Sequence, residues 1–258
     1  MKIIFFKYQG AGNDFVMIDN RLDKLSLSNT QIAHICDRKF GIGADGLIFL
    51  SDSVETDFKM VYYNSDGTIG SMCGNGGRCI VAFAQKIGIV KKSYIFEAYD
   101  GLHHAEVSAN DTISLQMSDV TVLKKINQDW ELDTGSLHLV RFVPSVHDIN
   151  VKESGAEIRF SETYFKEGIN VNYVEVSKEK LLIRTYERGV EAETLACGTG
   201  ATASAIAAFE SGLITTIPVK LKALGGDLEV RFTKVENSYT NIKLIGSAKF
   251  VFKGSIHV

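Results

Sequence analysis

Twice in this chain a cysteine is followed at once by Gly-x-Gly and then by an apolar run, in "MCGNGGRC" (72–79) and in "ACGTGAT" (196–202). The two cysteines, Cys73 and Cys197, stand 124 residues apart. Around them a longer order repeats. "YNSDGTIGSMCGNGGRCIVAFA" and "YERGVEAETLACGTGATASAIAAF" both read Tyr, polar turn, Cys-Gly-x-Gly, apolar helix. Tyr63 precedes Cys73 by ten residues and Tyr186 precedes Cys197 by eleven. Further upstream, "GNDFVMID" (12–19) and "GINVNYVEV" (168–176) each put an Asn just before an alternating run, which extends the overlay. Glycine turns resemble one another by chance. Agreement in strand, loop, cysteine, glycines and helix order favours internal duplication, so the chain should fold as two similar halves.

The runs between these loops fit that plan. Alternating apolar stretches predict strands at 3–8, 15–19, 46–50, 58–64, 93–99 and 103–109. In the second half they predict strands at 137–143, 170–176, 180–187, 217–223, 228–233, 240–245 and 247–253. Helices are predicted near 29–39, with Ile32, Ile35 and Cys36 on one face and Asn29 as a cap, and at 161–167. The segments 74–87 and 198–211 are apolar nearly all round, apart from Arg78, and predict helices wrapped on several sides. Five alanines between 201 and 208 would let strands pack close, and Gly212 suits a helix stop. The polar stretch near 117–130 marks a boundary.

Bulk properties exclude several classes. A length of 258 residues with 45% apolar and 23% charged residues is that of a soluble globular protein. The 28 basic and 31 acidic residues are interspersed for a net charge of −3, with no basic stripe to hold nucleic acid. Only four apolar residues precede Lys7, too few for a signal-peptide core, and no run approaches the ~18–20 apolar residues of a membrane span. A cytoplasmic location is expected. Cys73 and Cys79 are too far apart for a zinc knuckle and no His cluster joins them, so no metal is expected. Cys36 and Cys79 read as inert buried thiols.

A cysteine just ahead of a helix sits at the positive end of the helix dipole, which favours its thiolate below the usual pKa of ~8.5. The following Gly-x-Gly leaves backbone N–H groups uncovered, a site for a carboxylate. Two such units offer two acid–base thiols and two sets of anion-binding amides. Inverting a carbon centre is easiest with one group that takes a proton and an opposite one that returns another. Racemisation or epimerisation of an amino acid without a cofactor is that task.

The segments "GAGNDF" (10–15), "NSDGTIGSMCGNGGRC" (64–79), "GINVNYV" (168–174), "YERGVEAETLACGTGA" (186–201) and the tail "GSAKFVFKGSIHV" resemble the signature segments of the diaminopimelate epimerase family, in family order. The resemblance implies an α/β fold of two pseudo-symmetric domains, each a curved mixed sheet around a central helix, with the site in the cleft. It assigns 1–118 and a returning strand at 246–258 to the first domain and 119–245 to the second. It implies interconversion of LL- and meso-2,6-diaminopimelate for lysine and peptidoglycan precursors, without pyridoxal phosphate or metal, in a homodimer.

By position, the resemblance makes Cys73 and Cys197 the catalytic acid–base pair. Gly74, Asn75, Gly198 and Thr199 would supply amides to the carboxylate at the reacting carbon. Asn13, Asn64, Asn170 and Arg188 match substrate contacts. Glu187 would meet an ammonium or tune Cys197, and His138 matches a histidine that adjusts the first cysteine. Duller readings stand beside these. The asparagines suit plain turns, Glu187 and Arg188 a surface pair, His138 a satisfied core histidine, and Tyr63 and Tyr186 packing. Two departures from the family pattern are visible. Ser136-Leu137-His138 lacks the family's proline, which loosens the expected contact at Ser136. "RGVEAETLAC" is one residue longer than the commoner loop. Rival functions are a proline or hydroxyproline racemase, whose first motif tends to "CGHG", and a redox sensor that switches a Cys73–Cys197 disulfide. A phenazine-biosynthesis isomerase type ranks lower because it lacks the cysteine pair.

Overall fold

A computed structural model describes residues 1–22, 25–108, 110, 112–178 and 180–258. The chain divides into two compact units, Met1–Leu115 with Gly246–Val258, and Gln116–Ile245. Both are mixed α/β.

The first unit runs β1 (Lys2–Gly10), β2 (Asn13–Asp19), α1 (Asn29–Cys36), β3 (Gly46–Ser51), β4 (Phe58–Asn64), α2 (Gly74–Lys86), β5 (Ser93–Ala98), β6 (Gly101–Val107) and β7 (Thr112–Gln116). The second runs β8 (Leu123–Ile126), β9 (Asp129–Asp133), β10 (Leu137–Phe142), α3 (Val151–Arg159), β11 (Asn170–Ser177), β12 (Lys180–Glu187), β13 (Ala192–Thr194), α4 (Gly198–Glu210), β14 (Val219–Ala223), β15 (Gly226–Val235) and β16 (Ser238–Ser247). The last strand, β17 (Lys249–His257), returns to pair antiparallel with β1.

Strand pairing shows the duplication directly. In the first unit β2–β3 is parallel, β3–β4 antiparallel, β4–β5 parallel and β5–β6 antiparallel. In the second, β10–β11, β11–β12, β12–β14 and β14–β15 repeat that series. The tyrosines overlay in register, since Tyr63 opposes Leu47 and Tyr186 opposes Val171. Both are packing residues. Tyr63 lies against the cluster of Val16, Ile32, Ile35 and Leu47 under α1, and Tyr186 against Val151, Val171 and Tyr173 under α3.

The upstream part of the sequence overlay is displaced by one strand. Asn13 opens β2, whose counterpart is β10, the strand of His138. Asn170 opens β11, whose counterpart is β3, where Gly46 holds the equivalent place. The two "Gly…Asn" segments look alike because each ends a glycine turn and starts a buried strand.

The central helices match at both ends. α2 and α4 are each 13 residues long, capped at the N-terminus by Cys73 and Cys197 in extended backbone. Each cap carbonyl accepts the first helical bond, from Gly77 N–H at 2.7 Å and Ala201 N–H at 2.9 Å. Each helix ends in the same motif: Gly88 and Gly212 take left-handed backbone (φ +98° and +69°), and the next residue, Ile89 or Leu213, donates back to Ala84 or Ala208. Strands surround both helices. α2 packs on β1, β2, β3 and β17, and α4 on β9, β10, β11, β12, β14 and β15. An all-round apolar sequence is what such surroundings require. Arg78, the polar exception, is fully buried as well.

Two expectations fail here. The helix expected at 161–167 lies at Val151–Arg159, capped by Asn150, and 161–167 is a run of turns. α3 buries only Val151 and Gly155, so its sequence carries little helical periodicity; a side chain at Gly155 would press directly on Tyr186. The cap of α1 is Ser28, one residue before the expected Asn29, and it closes a capping box with Gln31. The polar stretch 117–130 follows the division between the units at Leu115/Gln116 and contains β8 and the start of β9, a hairpin turned by Asn127 in left-handed backbone.

Candidate active site

The first cysteine loop is built from β2, the turn after β4, and the start of α2. Cys73 is half-buried, and its Sγ donates to Asn13 Oδ1 at 3.5 Å. That amide is oriented from behind: Asn13 Nδ2 donates to Asp45 Oδ2 at 2.6 Å. Asp45 and Asp14 share Arg38, and Asp14 also pairs with Lys7 at 2.8 Å. Burial works against the Asp14 carboxylate, but Arg38 and Lys7 outweigh it and hold its pKa down to about 2. Asn75, two residues into the loop, is buried. Its Nδ2 reaches Asn13 Oδ1 at 3.4 Å and its Oδ1 accepts from Arg78 Nη2 at 2.8 Å. Arg78 Nη1 donates to the Gly74 carbonyl at 3.2 Å. No carboxylate pairs with this buried guanidinium among the described residues, and burial lowers its proton affinity. Its charge is felt by Cys79 and Cys73. Asn64 stays close to its turn, donating from Nδ2 to Thr68 Oγ1 at 3.2 Å.

The second loop joins β10, β11, β12 and α4. Cys197 Sγ accepts from Gly200 N–H at 3.4 Å and lies 3.3 Å from Thr199 Oγ1. Thr199 Oγ1 accepts from Ser136 Oγ at 3.4 Å, and Ser136 Oγ lies 3.0 Å from His138 Nε2. His138 is fully buried, and burial, then the charge of Arg188, pull its pKa down to about 3. It is a neutral imidazole. Asn170 ties this group together: Nδ2 donates to Ser136 Oγ and the Leu137 carbonyl, both at 3.2 Å, and Oδ1 accepts from Arg188 N–H at 2.9 Å. Ser136 is therefore firmly placed without the proline.

Glu187 ends β12, where its Oε2 accepts from Thr194 Oγ1 at 2.9 Å. Arg188 is exposed; its guanidinium donates to the Glu167 carbonyl at 2.8 Å and forms no ion pair among the described residues, so the surface-pair reading fails. The longer loop forms a hairpin in which β13 pairs with β12, Glu187 opposite Ala192. Glu191 turns it in left-handed backbone (φ +55°), its carboxylate held by Tyr186 Oη and Arg159. Glu187 is the last residue of β12 and Arg188 follows it directly.

The structure thus gathers Cys73, Asn13, Gly74 and Asn75 in one unit, and Cys197, Gly198, Thr199, His138, Asn170, Glu187 and Arg188 in the other. Sequence reasoning missed Arg78 and Asn172 as site residues. Asn172 is two residues along β11 from Asn170, on the same side of the strand. It donates to His138 Nδ1 and the Leu139 carbonyl, both at 3.0 Å. Cys36 and Cys79 are buried, and burial pushes their thiols up to about 11 and about 12. They are inert at neutral pH.

The duplicated α/β fold has parallels among solved structures. The fold matches a PhzF-family phenazine biosynthesis protein from Bacillus anthracis (TM-score 0.77, 15% identity, all of both chains). It also matches a hydroxyproline epimerase from Agrobacterium vitis (TM-score 0.67, 11% identity, 99% of this chain and 92% of that one). The fold is thus the one that these two structures share. Sequence narrows this to one family. The diaminopimelate epimerase family model matches residues 5–123 and 131–251. Proteins named diaminopimelate epimerase from Flavobacterium psychrophilum (52% identity, 97% of this chain and 99% of that one) and Chlorobaculum tepidum (43%, 96% and 98%) are similar throughout. The chain belongs to the diaminopimelate epimerase family and is an isomerase. Among the described residues no helix is long and apolar enough to cross a membrane.

Proposed function

We propose that this protein epimerises LL-2,6-diaminopimelate to the meso isomer by a two-base mechanism in which Cys73 and Cys197 serve one α-carbon. The observation that carries this reading is the pair of equivalent caps: each sulfur stands at the first turn of a central helix, beside N–H groups that no helical carbonyl can satisfy. One sulfur, as thiolate, takes the α-proton. The other, as thiol, delivers a proton to the opposite face and is left as thiolate. The amides of Gly74, Asn75, Gly198 and Thr199 hold the adjacent carboxylate and stabilise the charge that develops on it. Arg188 offers a bidentate fork to a carboxylate, and Asn13, Asn64, Asn170 and Glu187 orient the polar groups of the substrate. The reading includes chemistry without pyridoxal phosphate or metal, a homodimer and a cytoplasmic location.

Reduced protein incubated with the LL isomer should form the meso isomer. Replacing either Cys73 or Cys197 by Ala should remove that turnover, whereas Cys36→Ala should keep it within a few-fold. Proline offered in place of diaminopimelate should not be racemised. Turnover by the Cys197→Ala protein would refute the two-base reading.

A further inference from the structure

Every main-chain N–H shares its peptide unit with the carbonyl of the residue before it. The N–H of Asn75 is thus joined to the Gly74 carbonyl, and the N–H of Thr199 to the Gly198 carbonyl. This inference rests on the reading that those N–H groups hold the substrate carboxylate.

Both carbonyls open a helix, where each accepts the main-chain N–H four residues on, from Arg78 and from Thr202. In both helices the side chain of that same residue donates to the same oxygen. Arg78 Nη1 reaches the Gly74 carbonyl at 3.2 Å, and Thr202 Oγ1 reaches the Gly198 carbonyl at 3.1 Å. Arg78 and Thr202 each stand five residues past their cysteine. The two halves share the position and the bond and differ in the residue that makes it.

Each bond has a local cause. A buried threonine in a helix often bonds back to the carbonyl four residues earlier, and a buried guanidinium takes the nearest acceptor. Local causes leave the cost at Arg78 unexplained. That side chain is fully buried, and its Nε has no hydrogen-bond partner among the described residues. An apolar residue of similar size would fill the space without burying a cation that no carboxylate pairs with there. They also leave unexplained why the next two carbonyls of α4 each take a hydroxyl. Thr134 Oγ1 donates to the Thr199 carbonyl at 3.0 Å and Ser204 Oγ to the Gly200 carbonyl at 2.7 Å. Thr134, Thr202 and Ser204 are all buried.

We propose that Arg78 and Thr202 are positioning residues that strengthen the N–H of Asn75 and of Thr199 as donors to the substrate carboxylate, by donating to the other end of the same peptide unit. A donor on the carbonyl draws electron density from the amide nitrogen, and hydrogen bonds in series strengthen one another by about 10–30% per bond. Arg78 sets a full charge behind its peptide unit where Thr202 sets a dipole. As the α-proton leaves, negative charge builds on the carboxylate, so the gain is larger in the transition state than in the bound substrate. Loss of either side-chain donor therefore lowers kcat more than it raises KM.

Thr202→Val is the cleaner test, because it keeps the side-chain shape and the Gly198 carbonyl keeps its helical bond. With the reduced, full-length protein and LL-2,6-diaminopimelate, kcat should fall about three- to tenfold while KM stays within about twofold, and Thr202→Ser should restore kcat. Arg78→Met should lose at least about tenfold in kcat. Site-resolved alkylation by iodoacetamide between pH 5 and 10, read by mass spectrometry, separates this from an effect on the thiol. In Thr202→Val the Cys197 inflection should stay put. An unchanged kcat in Thr202→Val, a loss carried entirely by KM, or a shifted Cys197 inflection would overturn the proposal. Absence of turnover in the unsubstituted protein, or turnover by Cys197→Ala, would instead overturn the reading beneath it.

Discussion

The two cysteine loops share a backbone and differ in what surrounds the sulfur. Five residues past Cys73 is Arg78, a buried cation; five past Cys197 is Thr202, a buried hydroxyl bonded to the Gly198 carbonyl. Two residues past them stand Asn75 and Thr199. Behind Cys73 lies a charged network of Lys7, Asp14, Arg38 and Asp45; behind Cys197 lies a neutral one of His138, Ser136, Asn170 and Asn172. Duplication preserved the helix start, which any acid–base thiol needs. It left the means of stabilising each anion to diverge, by a fixed charge in one half and by aligned donors in the other. A reversible two-base reaction requires both sulfurs to survive as thiolates, and two different supports satisfy that requirement.

The comparison can be broken most severely at Arg78. Arg78→Met removes the charge at similar volume but leaves the Gly74 carbonyl and Asn75 Oδ1 without their side-chain donor, so the fold should survive at a cost of about 1–3 kcal/mol. The Cys73 alkylation inflection should rise by about one to two units and turnover should fall at least tenfold. If the Cys197 curve moves instead, the halves are not independent.

A second contrast lies three residues past each cysteine. A Cβ on Gly200 would come within 2.3 Å of Asn172 Oδ1, a pinned amide, whereas one on Gly76 would meet Ile48 Cδ1 at 3.1 Å, a side-chain tip able to shift slightly. Gly200→Ala should therefore cost about 1–3 kcal/mol in urea unfolding and Gly76→Ala less. Equal losses would mean the neutral network is softer than drawn.

A third contrast concerns pH. His138 has a folded pKa of about 3, below the ordinary 6.5, so it favours the folded state above pH 6.5 and loses that contribution as pH falls toward 3. The second unit should weaken across that window, seen as a falling melting temperature, and His138→Gln should flatten this part of the profile. An unchanged slope would place the acid sensitivity in other groups.

Much of this was legible in the sequence because the informative signals were local. Cys-Gly-x-Gly before an apolar run fixes a helix start, and Gly212 fixes an end. What was not legible depended on partners distant in sequence. α3 was missed because its polar "VKESGAEIR" buries little, while "SETYFKEG" has helical composition but makes turns. β13 was missed because Glu191 holds a left-handed position usually given to glycine. Asn172 and Thr185 read as ordinary strand residues, and only the pairing of β10, β11 and β12 brings them to His138. Arg78 read as the one polar exception on an apolar helix, and only the strands around α2 show it to be buried.

The claim that both sulfurs act, from opposite faces, is most directly tested by the early time course in heavy water. Starting from the LL isomer, the account predicts that deuterium appears first in the meso product while recovered LL substrate stays almost unlabelled, because the proton returned is not the one removed. Equal early deuterium in substrate and product would mean a single base serving both faces, and would contradict it.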